Sequence, residues 1–98
     1  VSNISHIFPK LHSAFLISQM ELRENMADIA DSSSPEDKLE DLRTEVDQLS
    51  DNIKEEFVQH WQKGCEAELK QAVLSVQKLK FYDKLAAELN HLEEQLFD

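Results

Sequence analysis

One pair of residues near the C-terminus has the spacing of a metal site. Glu88 and His91 are three residues apart, which places a carboxylate and an imidazole on one face of a helix, as in di-iron helical bundles. Such sites need a second copy of the pair and two more inward carboxylates, and no second copy occurs. His6, His12 and His60 have no partner at zinc spacing. We therefore predict no metal site and no cofactor, and we interpret His91 as a surface residue.

The residues that catalysis and phosphate binding usually need are also missing. Nucleophile elbows, phosphate loops and dinucleotide motifs require several glycines, and the chain has only Gly64. The many carboxylate pairs converge on no predicted pocket. Cys65 is the single cysteine, so an intrachain disulfide is excluded, and no metal or redox motif surrounds it. We expect that the chain is not an enzyme.

Charge and hydropathy exclude further classes of function. The formal net charge of -10 argues against binding to nucleic acid or to an anionic membrane, since both need a basic surface, and it favours a basic protein partner. No apolar run approaches the length of a membrane span, and the start has neither a signal peptide nor a transit pattern. The first residue is Val1 rather than Met, which indicates a fragment of a longer protein.

The composition and the helix signals predict one all-α domain over residues 1–98. One glycine and two prolines among 98 residues leave few tight turns, so long helices are expected. Pro9 suits a first helical turn and predicts a helix over 9–30, after an irregular arm or linker remnant over 1–8. Ser34 as N-cap and Pro35 begin a second helix over 35–63, which Gly64 ends, and a third helix follows over 66–97. We predict an antiparallel three-helix bundle over 9–98.

Apolar residues that recur every three or four positions predict one inward face on each helix. On the first helix this face consists of Leu11, Phe15, Leu22, Met26 and Ile29. On the second it consists of Leu39, Leu42, Val46, Leu49, Ile53, Phe57 and Trp61. On the third it consists of Leu69, Ala72, Val73, Val76, Leu79, Tyr82, Leu85, Leu89, Leu92 and Leu96.

The first helix has a second apolar face, which one small domain cannot bury together with the first. Leu16, Ile17 and Met20 lie roughly 100 to 200° away from the inward face, with carboxylates beside them. This second face is a candidate binding surface. Phe81 also lies among polar residues of the third helix, where it is either an exposed binding anchor or a boundary aromatic that is half-buried.

Two short segments resemble a known family. Residues 14–24, AFLISQMELRE, resemble the "AFLMEQLELRE" signature that opens the C-terminal domain of HscB-type co-chaperones. Residues 78–85, KLKFYDKL, are similar to that family's "RKLRFLDKL" segment, and residues 92–96 are similar to its acidic, leucine-rich ending. The middle stretch, 27–74, matches mainly in length and periodicity. Ile17 and Met20 stand where the signature has Met and Leu, and Lys80 stands where it has Arg.

The resemblance implies a function in holding another protein. In this family the C-terminal domain holds IscU, the scaffold on which iron-sulfur clusters are assembled. A J domain with a His-Pro-Asp tripeptide, which does not occur in this sequence, recruits the HscA-type chaperone. Carried over by position, the scaffold contacts are Leu16, Ile17, Met20, Glu21, Glu24 and Phe81, with Arg23, Asp28 and Lys80 as further charged candidates.

The resemblance also implies a monomer, and the bacterial cytoplasm in preference to the mitochondrial matrix, while the net charge predicts no nucleic-acid or membrane partner. The alternative from a different class is a helical assembly module, in which Leu16, Ile17 and Met20 mediate self-association.

Overall fold

The computed structural model describes the backbone of residues 2–97 and the side chains of residues 14–97. It contains three helices, α1 (Ser2–Asp28), α2 (Pro35–Lys63) and α3 (Glu66–Phe97), and no strand among the residues described. The predicted all-α three-helix bundle is confirmed. No helix in the described part of the chain is both long and apolar enough to cross a membrane.

The start of α1 differs from the prediction. Residues 2–8, predicted as an irregular arm, are helical, and Pro9 therefore lies inside α1 rather than in its first turn. A proline inside a helix removes one backbone hydrogen bond and its ring crowds the carbonyl four residues earlier, which costs about 3 kcal/mol, while each residue of the extension adds one hydrogen bond. No glycine precedes Pro9 to interrupt this extension. At its other end, α1 stops at Asp28, two residues before the predicted boundary.

The connection between α1 and α2 uses its serines differently from the prediction. Ser34 occupies the N-cap position of α2, and Pro35 is in the first helical turn, as predicted. The Ser34 side chain makes no capping hydrogen bond, however. Instead, the hydroxyl of Ser32 accepts a bond from the backbone N–H of Ser34 at 3.1 Å. The backbone N–H of Lys38 then donates to the Ser34 carbonyl oxygen at 3.1 Å, which begins the helical pattern.

Gly64 ends α2, as predicted. Its φ of 72° is in the left-handed region, and its N–H donates to the carbonyl oxygen of His60 at 3.3 Å. This conformation suits glycine because other residues place a Cβ too close to the following carbonyl. The turn reverses the direction of the chain, so α3 packs alongside α2.

Gly64→Ala is expected to destabilise the protein. An added Cβ would approach no atom closer than 3.9 Å, so the cost comes from the backbone conformation rather than from a clash. We expect a loss of about 1 to 2 kcal/mol in the free energy of unfolding, and a melting temperature lower by about 4 to 8 °C per kcal/mol. Thermal denaturation followed by circular dichroism measures this. Gln62→Ala, on the exposed side of the same helix end, is the control, and equal melting of both variants would contradict the expectation.

The core joins all three helices. Its buried members are Leu22, Ile29, Leu39, Leu42, Val46, Tyr82, Leu85 and Leu89. Phe15 and Met26 of α1 pack against this cluster, as do Leu49 and Ile53 of α2. The predicted inward faces are therefore confirmed over this part of the bundle. Leu11, also predicted to face inward, lies outside the described side chains.

The end of the bundle near Gly64 differs from the prediction. Trp61, predicted to face inward, is 62% exposed and stacks on Phe57 with ring centroids 6.0 Å apart. Three more predicted inward residues, Leu69, Val73 and Val76 of α3, are also exposed near this end, and Leu96 is exposed at the opposite end of α3. The core cluster draws on residues 39–53 of α2 and 81–92 of α3. The exposed residues lie outside both of these ranges.

Polar side chains join α2 to α3 at both ends of the hairpin. Far from the turn, Arg43 Nη1 donates to Asn90 Oδ1 at 2.6 Å. Next to the turn, His60 Nδ1 pairs with the carboxylate of Glu68. That hydrogen bond is the main cause that lowers the pKa of Glu68, and the charge of Lys63 adds to it, while partial burial opposes both. The order of these pairs along the chain shows that α2 and α3 run antiparallel.

Candidate protein-binding surface

The outer side of α1 carries an exposed apolar cluster, which we name the α1 patch. It consists of Leu16, Ile17 and Met20, whose side chains are 41%, 57% and 61% exposed. Ile17 and Met20 are three residues apart, and Leu16 and Met20 are four apart, so the three side chains are neighbours on the helix surface. Large apolar side chains grouped on one helix face are typical of a protein-binding surface.

Carboxylates continue this side of α1. Glu21 and Glu24 are exposed and follow Ile17 and Met20 by one helical turn each. Asp28, also exposed, lies one further turn beyond Glu24 and contributes to a shallow pocket at the corner between α1 and α2. The predicted acidic candidates therefore lie in a row beside and beyond the α1 patch.

Phe81 is a half-buried boundary aromatic rather than the exposed anchor of the first interpretation. Its ring packs edge to face on Phe15 of α1, with centroids 5.5 Å apart and an interplanar angle of 82°. Its neighbour Tyr82 is buried and also packs on Phe15, at 6.0 Å. The helical wheel could not predict this contact, because the periodicity of one helix does not show where another helix packs against it. Lys80 is exposed.

Arg23 connects α1 to α3. Its Nη1 donates to Glu88 Oε2 at 2.8 Å, and its guanidinium lies over the Phe81 ring, 5.7 Å from the centroid. Arg23 was predicted as a charged contact for a partner, and the structure gives it partners inside the protein. Glu88 was considered only for metal binding, so the sequence reasoning missed its part in this ion pair.

A further contact places α1 beside α3, since the Nζ of Lys78 lies 5.7 Å from the centroid of the Phe15 ring. Burial raises the pKa of the Tyr82 phenol, and the charge of Glu56 on α2 raises it further, while the side chain of Ser18 on α1 partly lowers it. Since Phe15 meets Phe81 and Arg23 meets Glu88, the two helices run parallel, and the α1 patch lies near the surface of α3 that carries Phe81.

Glu88 and His91, which have the sequence spacing of a metal site, do not form part of a ligand cluster in the described part of the chain. Glu88 is paired with Arg23, and His91 is exposed. Among the described residues, no group of three or more histidine, cysteine, aspartate or glutamate side chains is placed to hold a metal ion.

A second exposed apolar surface lies at the end of the hairpin and was missed by the sequence reasoning. Trp61, Val58 and Val73 are its most exposed members, on α2 and α3. Trp61 and Val73 belong to the predicted inward faces, whereas Val58 does not. No signal in the sequence marks this surface, because its exposure depends on which residues the neighbouring helices cover.

Comparison with known proteins identifies the family. The family model described as "HSCB C-terminal oligomerisation domain" matches residues 11–90. The chain belongs to the HscB family. The resemblance predicted from the segments at 14–24 and 78–85 is therefore confirmed. Within this HscB domain, the α1 patch, Arg23 and Phe81 all fall inside the matched range.

Relatives in the HscB family come from several bacteria. The chain is 42% identical over 84 residues to the "Co-chaperone protein HscB homolog" of Shewanella woodyi, covering 86% of this chain and 48% of that protein. It is also 42% identical over 84 residues to the protein of the same name from Photobacterium profundum, covering 86% and 47%. The chain thus spans about half the length of the curated relatives it matches. No solved structure matches it significantly.

Proposed function

We propose that this HscB-type domain binds an IscU-type scaffold protein, so that a full-length J-protein can deliver the scaffold to an HscA-type chaperone. The observation that carries the proposal is the α1 patch. Leu16, Ile17 and Met20 fall within the segment that resembles the family signature, and all three are exposed. The relatives named as co-chaperones support a role that depends on protein binding rather than on catalysis.

Apolar contact and charge have different tasks in this proposal. Truncation of central apolar anchors usually causes the largest losses of affinity at protein interfaces, which assigns affinity to the α1 patch. Charged groups at the rim mainly accelerate association and orient the partner, which assigns steering to Glu21 and Glu24. The net charge of -10 favours a partner with a basic surface. The bacterial relatives favour the bacterial cytoplasm as the compartment.

Isothermal titration of the chain with a bacterial IscU, free of cluster, tests the proposal. Saturable binding of one scaffold per chain is expected. A folded chain, as judged by circular dichroism, that releases no heat and shows no binding by a second method would contradict it.

Reversing the rim charges, by Glu21→Lys with Glu24→Lys, is expected to slow association with the scaffold. The rate constant should fall by about tenfold at low salt, and its dependence on salt should become weaker, because steering is electrostatic. Stopped-flow association at several salt concentrations measures both. Asp47→Lys with Glu55→Lys is the matched control, since these exposed residues of α2 give the same change in net charge. Equal slowing by both pairs would assign the effect to net charge and remove Glu21 and Glu24 from the steering role.

Self-association is the second candidate function, and the family description favours it because it names oligomerisation. The α1 patch is then the contact between copies of the chain. Sedimentation velocity at several protein concentrations separates the two candidates. A monomer throughout the range supports scaffold binding, and a sedimentation coefficient that rises with concentration supports self-association.

A further inference from the structure

We propose that Glu88 is a positioning residue for the scaffold-binding surface. Through Arg23 it holds α1 at one axial position along α3, and thereby keeps the α1 patch level with Phe81. Glu88 itself contacts no partner in this proposal. The inference rests on the proposed function, because it concerns how that surface is assembled.

The first argument is the chemistry of the cluster. Arg23 Nη1 donates to Glu88 Oε2 at 2.8 Å, which is a charge-assisted hydrogen bond between α1 and α3. The guanidinium carbon of the same side chain lies 5.7 Å from the centroid of the Phe81 ring. A planar cation that contacts both a carboxylate and an aromatic ring has less freedom to turn than one with a single partner. Glu88 therefore restricts Arg23, and Arg23 restricts Phe81.

The second argument is the axial position of the two helices. Leu16 and Arg23 are seven residues apart on α1, and Phe81 and Glu88 are seven residues apart on α3. Seven residues are close to two helical turns, so each pair lies on nearly the same side of its helix. Because α1 and α3 run parallel, the contact that sets Arg23 opposite Glu88 also sets Leu16 level with Phe81. A shift of α1 along α3 would separate these two residues.

The third argument is exposure. The side chains of Arg23 and Glu88 are 41% and 35% exposed. Ion pairs with this much solvent contact contribute little to the free energy of unfolding, because water and salt screen them. The pair can therefore be broken in a protein that remains folded, which makes the proposal testable.

Glu88→Gln tests the proposal because it keeps the shape of the side chain and removes its charge. We expect the dissociation constant for IscU to rise by about three- to tenfold, which is in the lower part of the range that coupled neighbouring residues show, with the melting temperature nearly unchanged. Glu94→Gln is the matched control, since Glu94 is an exposed carboxylate of the same helix, and it should bind as the wild type does. Unchanged binding by Glu88→Gln would overturn the proposal.

A charge exchange separates positioning from direct contact. The double variant Arg23→Glu with Glu88→Arg restores an ion pair between the helices, and we expect it to bind more tightly than Arg23→Glu alone. No recovery would overturn the positioning role, because a restored ion pair would then fail to restore binding.

A measurement without the partner keeps this inference separate from the proposed function. In the NMR spectrum of the free protein, Glu88→Gln is expected to shift the ring resonances of Phe81 and Phe15, and Glu94→Gln is not. Unmoved ring resonances would overturn the inference even where the wild type binds IscU. A wild type that does not bind IscU would instead refute the proposed function, whatever the ring resonances do.

Discussion

Replacing Leu16, Ile17 and Met20 together with alanine is expected to abolish measurable binding of an IscU-type scaffold by a domain that remains folded. Truncating a central interface anchor costs about 1 to 3 kcal/mol. The combined loss should raise the dissociation constant by at least about a hundredfold, although the three effects need not add. Isothermal titration measures the change.

The stability of this triple variant should stay close to that of the wild type. The three side chains are 41 to 61% exposed, so only part of each is buried, and the high helix propensity of alanine offsets some of the burial that is lost. Phe81 is left out of the variant because it packs against Phe15 and the core, and its removal would also lower stability. Thermal denaturation by circular dichroism provides this check.

The hairpin end supplies a matched control for the same experiment. Val58, Trp61 and Val73 are as exposed as the α1 patch, so their replacement by alanine removes apolar surface elsewhere on the protein. This control is expected to bind the scaffold normally. Loss of binding in the control, with normal binding by the α1 variant, would transfer the proposed binding site to the hairpin end.

Leu89→Ala is expected to have the largest effect on stability. Leu89 has no exposed surface and lies in the cluster that joins all three helices. Removing a buried leucine side chain costs about 2 to 5 kcal/mol, which is a large part of the 5 to roughly 15 kcal/mol that stabilises a typical domain. The melting temperature should fall by at least about 8 °C.

Urea denaturation followed by circular dichroism measures this loss as a free energy. Leu96→Ala, on the same helix but 37% exposed, is the control and should lose much less stability. A Leu89→Ala variant within about 1 kcal/mol of the wild type would mean that this position is not central to the core.

Local signals predicted most of the secondary structure correctly. Gly64 correctly predicted the end of α2, because the turn there needs a residue with a left-handed backbone conformation. Pro35 correctly predicted the start of α2. The prediction at Pro9 was wrong because proline suits a first helical turn but does not prevent a helix from continuing before it. The serines before α2 showed that a turn occurs, while the choice between Ser32 and Ser34 as the hydrogen-bonding side chain depends on the path of the loop.

The sequence by itself determined the family, the helical class and the second apolar face of α1, because these depend on the order and spacing of residues along one chain. Leu16, Ile17 and Met20 stand on a separate face of the helix whatever packs against it.

Only the tertiary structure decided which apolar positions are covered and which charges meet. Phe81 is half-buried because Phe15 of another helix reaches it, and Trp61 is exposed because the described core does not extend to the end of the hairpin. Arg23 and Glu88, 65 residues apart in the chain, form an ion pair only when α1 lies beside α3. Periodicity gives the direction in which a side chain points around its own helix axis. Contacts between helices also depend on the relative position of the helices, which only their packing determines.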